Sequence, residues 1–84
     1  MEHVLLEPSK RPLNVLTRNL NNYVNIRLKN DIEYRGRMIQ CDNYMNIILD
    51  GAAEYHGEEP VANYGNIFIR GNNVLYIAVN VVRK

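Results

Sequence analysis

Two short polar stretches of this 84-residue chain hold the side chains best suited to chemistry on a ligand: Asp42-Asn43-Tyr44-Met45-Asn46 and Arg70-Gly71-Asn72-Asn73. They offer a flat ring in Tyr44, an amide in Asn46 that both donates and accepts, and a cation in Arg70. A base of a single-stranded nucleic acid needs a face to stack on, a partner for its edge, and a positive charge over its ring or beside its phosphate. Gly71 would let backbone N–H groups come near such a ligand. Turns are routinely rich in Asn, Asp and Gly as well, so composition alone leaves plain turn chemistry open beside the binding reading.

Catalysis has less footing. His3 and His56 lie far apart with no metal-ligand spacing, Cys41 has no evident partner, and Ser9 is the only serine. They read as surface histidines and a small buried thiol, and Glu58-Glu59 as solvated loop charge. We expect no catalytic residue, no metal and no cofactor. A net charge of +1 argues against a protein that holds a polyanion by broad phosphate neutralisation, so an RNA partner would need a focused site. One cysteine excludes an internal disulfide and suits a reducing compartment. With no apolar run of about 18 residues and no basic-then-apolar leader, the expectation is a cytoplasmic protein without a membrane partner.

The elements that must position the two stretches follow from periodicity. Residues 1–8 have no clear period and read as a loose end. Ser9 or Arg11 before Pro12 opens a helix over about 12–21, with Leu13, Leu16 and Leu20 on one face and Asn21-Asn22 ending it. From Tyr23 the period becomes two: Val24, Ile26 and Leu28, then a turn at Lys29-Asn30-Asp31, then Ile32, Tyr34, Gly36 and Met38. Gly36 in mid-strand suggests a bend or the close approach of another backbone. A third strand runs from Asn46 to Tyr55, with small residues at Gly51-Ala52-Ala53. Residues 56–65 read as a polar loop, and Ile67–Ile69 and Val74–Val79 as a closing hairpin across Arg70–Asn73. One domain of one helix and five strands is predicted, all-β, as a strongly bent antiparallel SH3-like barrel. An oligonucleotide-binding barrel is the runner-up, but its helix belongs between the third and fourth strands.

At this point the residues resemble a known family. Gly36, Asp42, Met45, Asn46, Ile47-Ile48-Leu49 and Glu54 follow the first Sm motif (about 23–55), and Ile69-Arg70-Gly71 with Val74 follows the second (about 66–79), with a variable loop over 56–65. The resemblance to Sm and Sm-like (LSm) proteins, particularly archaeal ones, implies a homo-oligomeric ring, seven subunits being the number it suggests. It also implies binding of uridine-rich single-stranded RNA at the central pore, in RNA processing or as an RNA chaperone or scaffold, with other RNA-processing proteins as further partners. Carried over, Tyr44 stacks on the base, Asn46 reads the uracil edge, Arg70 stacks on the other face, Gly71 supplies backbone and Asp42 braces the loop. Asn72 stands where archaeal relatives often have Asp, and Cys41 where an aromatic is common. Arg11 and Arg18, beside Lys10 and Asn14, are candidates for a secondary RNA contact on the helix. In such a ring the strand before Arg70 pairs with the neighbour's last strand, burying Phe68 and Leu75. The alternative is a protein-interaction barrel whose ring is mainly an assembly platform.

The pattern Asn-Tyr-x-Asn-Ile occurs at residues 22–26, 43–47 and 63–67. We expect all three copies at the starts of strands, and only the middle one, with Asp42 before it and Arg70-Gly71 facing it, to be a site.

Overall fold

A computed structural model describes residues 2–8 and 13–81. Ser9, Lys10, Arg11 and Pro12, and with them the predicted helix start and one of the two secondary contacts, lie outside the described residues. The chain runs β1 (Glu2–Leu6), α1 (Leu13–Arg18), β2 (Tyr23–Leu28), β3 (Ile32–Cys41), β4 (Ile47–His56), β5 (Glu59–Ile69), a 3-10 turn (Gly71–Asn73) and β6 (Val74–Val81). All pairings are antiparallel, in one sheet of order β1-β6-β2-β3-β4-β5. Among the described residues no helix is long and apolar enough to cross a membrane.

The bent all-β architecture with an N-terminal helix is as predicted, but it has six strands rather than five. The sixth is the supposed loose end: residues 2–6 pair with residues 77–81 of β6. Without a second-strand partner these residues offer no pattern, because their order comes from the ladder they join. The helix is shorter than its leucine spacing suggested, since Asn19 to Asn22 form turns held by Asn19 N–H on the Leu16 carbonyl and Asn21 N–H on the Met38 carbonyl. Leu16 is fully buried and Val15 and Leu20 pack beside it, so the short helix is held by this face.

One break in the β3–β4 register lies where glycine predicted a bend. Arg35 pairs with Ala53 and Arg37 with Asp50, so Gly51 and Ala52 together oppose Gly36, a β-bulge in β4. Gly51 takes the left-handed conformation there (φ 60°), and a Cβ on Gly36 would lie 3.1 Å from the Ala52 Cα. Beyond the bulge the predicted loop at 56–65 is instead a continuation of the hairpin. His56 pairs with Glu59, leaving Gly57-Glu58 as the turn, because alternate polar residues on an exposed ribbon satisfy a ladder as well as apolar ones do.

The alternation of β3 places Glu33 with the solvent-facing set, yet it is only 6% exposed. Its carboxylate accepts hydrogen bonds from Arg27, 3.0 Å away, and from Arg35, whose guanidinium also lies 3.9 Å over the Tyr55 ring. Burial pushes the Glu33 carboxyl upward, and the two arginines more than offset it, holding it below its ordinary value. Two long cationic side chains therefore roof a buried charge that a strand pattern cannot distinguish from an exposed one.

Candidate nucleic-acid interface

The β3–β4 turn is organised by a single carboxylate. Asp42 Oδ1 accepts from the N–H of Tyr44 at 2.8 Å and of Asn46 at 3.0 Å, while Oδ2 accepts from the Asn46 side-chain amide at 3.0 Å. The Asp42 backbone closes the loop, its carbonyl accepting from Met45 N–H and its N–H donating to the Asn46 carbonyl. These bonds hold Met45 at a left-handed φ of 62°, uncommon for a residue other than glycine, and its side chain points into the core. Partial burial raises the Asp42 carboxyl, and the bonds from the Asn46 side chain and the two backbone N–H groups outweigh it, leaving it below the ordinary range.

Arg70 to Asn73 is not a hairpin turn. β5 pairs with β4, whereas β6 pairs with β2 and β1, so the 3-10 turn carries the chain across the bent sheet rather than back along it. Two bonds fix it: Gly71 N–H donates to Asn46 Oδ1 at 2.8 Å, and the Asn73 carbonyl accepts from Lys29 N–H at 3.0 Å. Gly71 is buried against the first turn so closely that a Cβ would fall 1.7 Å from the Tyr44 carbonyl oxygen. Glycine is needed here for contact between the two turns. Its own N–H is used within the protein, in the bond to Asn46.

Asn46 is thus the bridge between the two stretches. Its carbonyl oxygen faces Gly71 and its amide nitrogen faces Asp42, which fixes the orientation of an otherwise reversible amide. One N–H and one lone pair remain. Beside it Tyr44 is 76% exposed, and Arg70 and Asn72 are exposed on the facing turn. The structure therefore brings Asp42, Asn46 and Gly71 into one hydrogen-bonded unit and leaves the rings and charges around it open. Arg18, exposed at the end of α1, has no bond to this unit among the described residues.

Sequence reasoning gave no role to two contributors. Met45 anchors the turn from beneath, and its signal was the spacing of an Asp followed two and four residues later by the N–H groups it captures. Lys29 docks the far end of the second turn through its backbone, which leaves no side-chain signal. Burial pushes the Cys41 thiol upward, with Asp42 adding to it, as suits an unreactive cysteine beside the turn.

An LSM domain model matches residues 14–79, most of the chain. The chain belongs to the Sm-like family. Over 55 residues it is 53% identical to the U6 snRNA-associated Sm-like protein LSm6 of Debaryomyces hansenii, a match that takes in 66% of this chain and 65%, just under two thirds, of that relative. Among solved structures it is similar to the Pyrococcus abyssii Sm protein in complex with a uridine heptamer (44% identity, TM-score 0.78, 81% of this chain and 96% of that one). It is also similar to a heptameric archaeal Sm protein (29% identity, TM-score 0.72, 77% and 94%). As an Sm-like protein, the chain has the two halves of its family pattern joined by Asn46. The third Asn-Tyr-x-Asn-Ile copy departs from expectation, since residues 63–67 lie inside β5 rather than at its start.

Proposed function

We propose that this Sm-like protein assembles into a ring, with seven subunits the expected number, and binds uridine-rich single-stranded RNA at the pore in RNA processing or as an RNA chaperone. The observation that carries the reading is the fixed Asn46 amide beside an exposed Tyr44 ring. Uracil presents an N–H flanked by carbonyl oxygens, which matches the remaining lone pair and N–H of Asn46. Cytosine reverses part of that pattern, and an amide held at both ends cannot turn over to follow it. A fixed bidentate contact of this kind discriminates by roughly 1–3 kcal/mol. Arg70 supplies one cation per subunit, so a ring concentrates charge that a chain of net charge +1 lacks, and several weak sites act on one strand.

β5 supports the ring. It is an 11-residue edge strand in which only Ile69 is buried, and it exposes Val61, Tyr64 and Phe68, the last at 62%. Such an edge invites pairing with another chain. A groove of about 500 Å³ lined by Leu28, Tyr34, Ile67 and Phe68 runs beside it.

The test is a salt-dependent comparison of oligo-U and oligo-C binding by the purified assembly. Oligo-U should bind about tenfold tighter or more, and Asn46→Ala should remove most of the difference. Equal affinity for both would reject base reading and favour the assembly-platform alternative, while a species that remains monomeric in light scattering would reject the ring.

A further inference from the structure

The sheet is open, so it has two edges, and the described strands at them are β5 and β1. A closed ring joins an edge of each subunit to the other edge of the next. The family domain begins at residue 14, after β1, and the structural neighbours are covered over 94–96% of their own length. Within the family domain alone, the edge opposite β5 is therefore β6. In this chain that edge is already paired, because residues 77–81 hold residues 2–6.

We infer that β1 is an intramolecular stand-in for a neighbour's β5, which must peel it from β6 before subunits can join. The inference rests on the ring reading above. Three features favour displacement over a ring that closes through β1. First, β1 offers only five paired residues, and of its described side chains Leu6 is buried while Leu5 is 59% exposed; β5 offers eleven residues and three exposed apolar side chains. Second, the β1 ladder stops at Leu6–Ile77, so among the described residues Val74 to Tyr76 have no strand beside them on that side. Leu75, exposed, lies in this uncovered segment, where an incoming strand can start to pair and then advance. Third, exchanging one antiparallel partner for another replaces backbone hydrogen bonds one for one, so the outcome turns on side-chain burial and on concentration. The tethered strand has the advantage of high effective concentration, the incoming one that of length and apolar contact. Assembly then has a concentration threshold set by residues 2–6.

The register supplies a reversible lock. Leu5 stands opposite Ala78, on the outer face, while Leu6 stands opposite Ile77 on the core face. Directly opposed antiparallel residues have Cα atoms about 4.5–5.5 Å apart, within disulfide range. Leu5→Cys with Ala78→Cys, in a Cys41→Ser background, should run as monomer when oxidised, with the assembled fraction about a tenth or less of that of the same protein after reduction. Reduction also controls for folding. Val4→Pro with Leu5→Pro, which removes a ladder donor whichever residue supplies it, should lower the concentration of half-assembly by about tenfold, the factor expected if β1 is docked nine-tenths of the time. Equal assembly of the oxidised and reduced lock, or a higher threshold in the proline variant, would overturn the role of β1 and leave the ring standing. Failure of the unmodified and reduced proteins alike to assemble would overturn both.

Discussion

Asn43–Ile47 and Asn63–Ile67 share four of five residues, yet one is a turn and the other the middle of a strand. In the first, Asp42 captures the chain and Met45 goes left-handed. In the second, Ala62 stands where the aspartate would be, and the central Gly65, free to take the same conformation, stays extended in the ladder. Propensity alone would have assigned the left-handed turn to the glycine copy. The tyrosines diverge accordingly. Tyr44 is exposed on its turn, whereas Tyr64 O–H donates to Glu54 at 2.9 Å and its ring meets Tyr34 edge-on at 6.3 Å. A side chain already engaged in the hairpin has little left for a ligand, and the difference lies in the residue before the motif and in the turn that faces it.

The largest effect should come from Gly71→Ala. The added Cβ meets the backbone carbonyl of Tyr44, which cannot move aside like a flexible side chain, so the two turns must part. Expected is a stability loss of roughly 1–3 kcal/mol in denaturant unfolding, with oligo-U binding falling below detection. A Gly71→Ala protein that unfolds and binds as the parent does would mean the second turn does not complete the first. Gly65→Ala, with open space around it, is the matching control and should leave binding unchanged.

Next is the exchange of tyrosines. Tyr44→Ala should lose roughly 1–3 kcal/mol of binding per stacked base, measured by titration with oligo-U, while its melting temperature stays put. Tyr64→Ala should do the reverse, losing a little stability with its bond to Glu54 and keeping binding at a protein concentration where both assemblies are complete. If both lose binding equally, the distinction between the two copies is false.

The candidate residues Asp42, Tyr44, Asn46 and Arg70 stand out in the sequence because each is a polar residue at a position the strand pattern does not need. The bend was readable too, from Gly36 and from Gly51-Ala52. What was not readable depends on partners distant in sequence. Residues 2–6 become a strand only because β6 offers an edge, and Glu33 is buried only because Arg27 and Arg35 lie over it. Residues 56–65 look like a loop in composition, yet they are paired because β4 continues past its bulge. The change of partner between β5 and β6 was hidden for the same reason: Arg70–Asn73 has hairpin chemistry, and what redirects the chain is distant in sequence, the bonds from Asn46 and Lys29 to this turn and the ladder of β6 with β2.

Acid should separate the two regions more weakly. Asp42 is held below its ordinary value, so the carboxylate is the form the turn stabilises; its contribution is present above the ordinary aspartate range and is lost as pH falls through the lower folded value. Oligo-U affinity should therefore hold from neutral pH down through the ordinary aspartate range and decline only below it. In Asp42→Asn affinity should already be reduced, and this decline absent. The Glu54 carboxyl is also lowered, by Tyr64 first and then by His56, with burial opposing. Its loss in acid should loosen the β4–β5 hairpin, and Glu54→Gln should leave the pH dependence of binding as it was. A decline of equal shape in Asp42→Asn would assign it to some other group.

The smallest effect belongs to Asn66→Ala, and it tests the comparison most directly. Asn66 has the same place in its copy as Asn46 has in the other, but it is an exposed strand residue opposite Asp50, with no second turn to hold. Surface changes away from special features usually shift stability by no more than about 0.5 kcal/mol, and that is the expected limit in denaturant unfolding. Oligo-U affinity should match the parent within the error of the titration, whereas Asn46→Ala loses base preference. Because β5 is also the proposed mating edge, binding should be compared at a protein concentration where light scattering finds both assemblies complete. A loss at Asn66 equal to that at Asn46 under those conditions would mean that the amide acts through its own sequence neighbours and not through the bridge from Asp42 to Gly71.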